Sequence, residues 1–134
     1  MREGGDKIME NNILYHGTTL ENYKGIMKDG FIKCSKGIHN QIVFLTDNKK
    51  VALLYATNKE IVNVGKRECN CEGVILSVDT SKIRRKIYLG NHIYAILEDI
   101  STVHVCNVLN ISIEKGIPFQ NDGINKQLLK IFLE

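Results

Sequence analysis

A chain of 134 residues, 43% hydrophobic and 25% charged, has the balance of one globular domain and excludes a fibrous or intrinsically disordered class. The formal charge of +3, from 18 Lys and Arg against 15 Asp and Glu, permits an acidic partner but falls short of the signature of a dedicated nucleic-acid domain. No apolar run reaches the length of a membrane span, and residues 1–12 lack the apolar stretch of a signal peptide, so a cytoplasmic location is expected.

The polar residues 1–12 read as a flexible lead to a single domain that spans 1–134. Residues 13–16 form a short apolar run, expected as a buried strand ended by Gly17. A helix follows. Thr18 and Glu21 have the spacing of a capping box, Leu20, Tyr23, Ile26 and Met27 recur at helical spacing, and Asp29-Gly30 ends the run. Phe31 and Ile32 suggest a short strand, residues 34–40 a polar loop, and residues 42–45 a second apolar strand, with Thr46-Asp47 as a turn or helix cap. The second helix is expected over 48–56, with Val51, Leu54 and Tyr55 on one face.

Residues 61–72 mix apolar residues, charges and glycine without period and read as loop. Strands are expected at 74–78, 86–89, 92–97 and 102–113, the last rich in β-branched residues. A single helical turn is expected at 80–83, and a terminal amphipathic helix at 124–133, carrying Leu128, Leu129 and Phe132. Helices early and strands throughout point to an α+β domain with a largely antiparallel sheet. No G-x-G-x-x-G follows any strand, so dinucleotide binding would need another device than a Rossmann turn.

Of the four cysteines, Cys34 and Cys106 read as small core residues and the Cys69-Asn70-Cys71 pair as part of a polar loop. One residue between paired cysteines is too few for an ordinary structural zinc site, so no metal is expected. The strongest chemical candidate is His16, because Gly17 would let a ligand approach the backbone, Thr18 offers a hydroxyl, and a helix begins beside them. Arg84, Arg85 and Lys86 form the densest basic run, and His39 and His104 stand apart from it.

The stretch Leu14-Tyr15-His16-Gly17-Thr18, the helix ending in Asp29-Gly30-Phe31, the segment Val43-Phe44-Leu45-Thr46-Asp47 and Tyr55 together resemble the first two motifs of diphtheria-toxin-type ADP-ribosyltransferases. The strands from Gly73 to Ile100 are similar in order to the catalytic lobe of the RNA 2'-phosphotransferases. The resemblance implies an ADP-ribosyltransferase-like fold, two packed and mostly antiparallel sheets with helices flanking an NAD cleft. It implies NAD as substrate, bound by His16, Gly17, Thr18, Phe44 and Tyr55, and a catalytic set of His16, Phe44, Tyr94 and Glu98. Phe44 stands where the family has a strand tyrosine. Tyr94 stands where it has a glutamate, with Glu98 (or Asp99) beyond it. The implied activity is transfer of one ADP-ribose unit to a protein or nucleic-acid acceptor with release of nicotinamide. RNA 2'-phosphate transfer, or NAD or ADP-ribose binding without turnover, are the alternatives.

Overall fold

The computed structural model describes residues 12–34, 42–64, 71–114, 117–122 and 125–129. The expectations for the 1–12 lead, for His39 and for Cys69 lie outside these residues, apart from Asn12, whose carbonyl accepts from Thr80 N at 2.8 Å.

Strand β1 (Ile13–Thr19) runs through the middle of one antiparallel sheet. It pairs along its whole length with β4 (Cys71–Asp79), His16 opposite Leu76 and Gly17 opposite Ile75. On its other side it meets β3 (Val43–Thr46) at one register pair, Tyr15 with Thr46. Beyond β3 follow β6 (Ile93–Ile96) and the edge strand β5 (Lys86–Gly90). Beyond β4 follow β8 (Val105–Glu114), β9 (Ile117–Asp122) and β10 (Asn125–Leu128). A separate ribbon pairs β2 (Phe31–Ile32) with β7 (Ile100–Ser101).

One helix covers part of each face of this sheet. Helix α1 (Leu20–Asp29) lays Leu20, Tyr23 and Ile26 on a core of Leu14, Val43, Leu45, Val74, Leu76, Val78 and Ile96. Helix α2 (Lys49–Val64) brings Ala52 and Leu53 to the other face, against Tyr15, Ile75, Leu109 and Ile111. Alternation along β1 therefore sends Leu14, His16 and Thr18 toward α1, and Tyr15 and Gly17 toward α2. Each fully buried aliphatic side chain here contributes about 1.5–3 kcal/mol.

The expected α+β arrangement of two packed sheets flanking an NAD cleft is overturned. Among the described residues strand predominates, and β1 pairs on both sides, so eight strands form one continuous sheet and not two stacked ones. Several local expectations change with it. Strand β1 does not stop at Gly17, and the cap of α1 is Thr19, whose hydroxyl accepts from Asn22 N at 3.1 Å, while Thr18 is buried in the strand. The far end of α1 is as expected, with Gly30 in the left-handed region at φ 81°. Helix α2 runs on to Val64 through part of the stretch read as loop. Of the terminal helix expected at 124–133, residues 125–128 form β10 instead, because backbone pairing with β9 outweighs a weak helical period, and residues 130–133 lie outside the described residues. The segment 102–104 forms a short 3-10 turn capped by Ser101, which puts His104 outside the strand that follows.

Candidate functional site

The expected site residues do not converge. His16 and Thr18 line a cleft of about 440 Å³ between β1, α1 and β2, together with Glu21, Asn22, Gly25, Ile26, Asp29, Phe31, Ile32 and Lys33. The His16 ring is held at its back. Its Nδ1 lies 3.3 Å from the Phe44 carbonyl oxygen, which can only accept, so Nδ1 carries the proton and Nε2 is the acceptor of the neutral ring. Burial lowers the His16 pKa, opposed by the bond to the Phe44 carbonyl, and this favours the neutral form.

Phe44 contributes its backbone and not its ring. Val43 and Leu45 belong to the core under α1, so the intervening Phe44 side chain points to the opposite face, where it is half exposed. Tyr55 is half exposed on α2, on the α2 side of the sheet. Gly17 serves the same helix: a Cβ on it would lie 1.8 Å from the Ala52 carbonyl oxygen. The open backbone at Gly17 is thus filled by protein.

Tyr94 packs on the α1-side core, its ring centroid 4.8 Å from that of Tyr88. Its pKa is raised by burial, by the Asp47 carboxylate and by Tyr88, so it stands as a neutral phenol where a carboxylate was sought. Glu98 is exposed in the bend after β6 and does not line the cleft. Asp99 is engaged structurally: its Oδ1 accepts from Cys34 N at 2.8 Å, and that bond holds its pKa below the ordinary carboxylate value. In the basic run, Lys86 Nζ donates to Thr80 Oγ1 at 3.1 Å, while Arg84 and Arg85 are exposed.

The residues missed by sequence reasoning are the polar edge of α1, Glu21, Asn22, Gly25 and Asp29, with Phe31 of the ribbon and Lys33 just after it. The signal was present as a polar stripe beside the apolar one, and as a glycine inside a helix, where it costs about 0.5–1 kcal/mol relative to alanine. A Cβ on Gly25 would meet nothing within 4 Å. Asp29 is loosely paired with Lys33, Oδ2 to Nζ 3.7 Å.

No protein family and no curated relative matches the sequence. Among solved structures the chain is similar to the crystal structure of protein CC0527 from Caulobacter crescentus. The identity is 11%, over 79% of this chain and 92% of that one, with a TM-score of 0.53. At that identity the likeness is one of fold. Among the described residues no helix is long and apolar enough to cross a membrane, and no group of His, Cys, Asp and Glu is arranged to hold a metal.

Proposed function

We propose that the chain is an NAD-dependent ADP-ribosyltransferase that binds the nicotinamide end of NAD in the His16 cleft. The observation that supports this reading is the fixed His16 ring, whose Nδ1 is tied to the Phe44 carbonyl in a cleft of about 440 Å³. That volume lies within the roughly 300–1,000 Å³ of small-ligand sites. Nε2 would accept a hydrogen bond from a ribose hydroxyl. Phe31 offers the aromatic face for the nicotinamide ring, in place of Tyr55 and the Phe44 side chain. Lys33 offers a cation for phosphate. Glu21 and Asp29 offer negative charge to the ribose carbon as its bond to nicotinamide breaks and the bonding pair leaves with the pyridine nitrogen.

A cleft-blocking variant tests the proposal. Gly25→Leu projects into the cleft from an exposed helix position, so it leaves the core intact. Calorimetry should show NAD binding weakened at least about tenfold, equivalent to 1.4 kcal/mol, in this variant and in His16→Ala. Wild-type affinity in Gly25→Leu would remove the nicotinamide from this cleft. Binding without turnover is the second reading, favoured by the neutral Tyr94 at the position sought for a carboxylate. Release of nicotinamide from NAD separates the two.

A further inference from the structure

On the α2 side of β1 lies a second cavity, of about 390 Å³, lined by Tyr15, Asp47, Asn48, Lys49, Lys50 and His92. Its reactive centre is an aspartate–histidine pair that the NAD reading does not use. The imidazole Nδ1 of His92 lies 2.7 Å from Asp47 Oδ1. A carboxylate accepts, so Nδ1 carries the proton, and the other ring nitrogen, Nε2, is the basic one in the neutral ring. This is the relation of a general base to the group that orients it.

The chain goes to some length to place this ring. Asn91 and His92 have φ of 54° and 69°, the conformation of a two-residue type I′ turn between β5 and β6, and His92 sits where glycine is favoured. Two further bonds hold it: Asp47 N donates to the His92 carbonyl at 3.2 Å, and His92 N donates to the Tyr88 hydroxyl at 3.4 Å. Around the ring the cavity is lined by Lys49 and Lys50 as well as by Asp47, which His92 engages. Lys49 Nζ lies 5.4 Å from the centroid of the Tyr15 ring. An ammonium group beside an aromatic ring suits a polynucleotide better than an acidic peptide, because phosphate and a base face are satisfied together.

We propose that this cavity is a ribonucleic-acid site at which His92, oriented by Asp47, cleaves the strand by acting as general base toward a ribose 2′-hydroxyl. Nε2 takes the hydroxyl proton, and the oxygen's electron pair forms a bond to the adjacent phosphorus. The bond from phosphorus to the 5′-oxygen of the next nucleotide breaks, and that oxygen leaves with the pair and takes a proton from water, whose hydroxide takes the proton held on Nε2 and so restores the neutral ring. The products are a 2′,3′-cyclic phosphate and a 5′-hydroxyl end, with no further reactant consumed. Lys49 and Lys50 hold the phosphate and meet the charge that develops on it.

The test uses the full chain with a short single-stranded RNA oligonucleotide, its 2′-deoxy counterpart and an oligoglutamate peptide, with no NAD present. His92→Gly removes the imidazole while placing Asn-Gly, the favoured pair, in the type I′ turn, so the hairpin persists. Wild type should cut the RNA and leave cyclic-phosphate ends, with the deoxy strand intact, and His92→Gly should cut at least about 100-fold more slowly. Lys49→Ala with Lys50→Ala should weaken RNA binding about tenfold or more. Amide NMR signals of residues 15, 47–50 and 92 should move on RNA addition. The proposal is overturned by intact RNA, by wild-type cutting in His92→Gly, by equal cutting of the deoxy strand, or by the peptide moving the same signals as strongly as RNA.

Discussion

His16 shows how one residue type can be legible while its surroundings are not. Its place at the end of an apolar run marked it, yet the partner that fixes its ring is a main-chain carbonyl, Phe44, 28 residues away, which no side-chain pattern signals. Because burial lowers its pKa from the ordinary 6.5, the unfolded chain binds the extra proton first as the solution is acidified. The stability involved is fully present above about pH 6.5 and is lost as the pH falls below it. Urea midpoints should drop on acidification through this range, and His16→Gln should flatten that slope; an unchanged slope would refute the assignment. The cysteines divide in a similar way. Burial and the Asp99 carboxylate push the Cys34 thiol up to about 11, whereas Cys106 is exposed, with its Sγ 3.4 Å from the Ser77 carbonyl oxygen. Iodoacetamide at mildly alkaline pH should therefore modify Cys106 well before Cys34, read peptide by peptide in a mass spectrometer.

At the scale of elements, the helical period located α1 and short apolar runs located β1, β3 and β4, because each of these elements contributes apolar side chains to the core on one or both faces of the sheet. They failed where pairing or close packing decides. Strand β1 continues through Gly17 to Thr19, since its backbone pairs with Gly73 to Ile75 of β4. Gly17 is small for the sake of α2, and Gly73 of β4, opposite Thr19, shares that role, a Cβ there coming within 2.9 Å of the Ala56 carbonyl oxygen. Gly17→Ala forces the helix off the sheet. It should cost upward of about 3 kcal/mol in chemical denaturation, the upper end of overpacking, and a loss below about 1 kcal/mol would show that the contact relaxes freely. The same replacement at Gly25, where the added methyl meets nothing, should stabilise the chain by about 0.5–1 kcal/mol.

For the molecule as a whole, the order β10-β9-β8-β4-β1-β3-β6-β5 puts β1 and β4 in the interior of the sheet and leaves β5 and β10 as its edges. Leu14, Val74, Leu76 and Val78 are essentially without solvent contact, whereas Ile87, Tyr88 and Leu89 on β5 are each about half exposed. Native-state hydrogen exchange should follow this order, with amides of β1 and β4 opening only on global unfolding and those of β5 and β10 opening locally. Fast exchange in β4 would contradict the sheet order. The likeness to CC0527 concerns this chain path.

What the residues determined by themselves is local: an apolar strand that begins at Ile13 and carries a histidine, a helix stopped by Gly30, and a later half built of strands, because these follow from apolar patterning and from the φ that glycine permits. Only the tertiary structure decided that eight of the strands form one sheet with a helix on each face. That arrangement sends His16 and the Phe44 ring to opposite sides, closes Gly17 with α2, and opens a cleft along the polar edge of α1. The physical reason is that strand partners and helix contacts join residues far apart in the chain. A one-residue step along a strand reverses the face a side chain occupies, and neither property is written in local spacing.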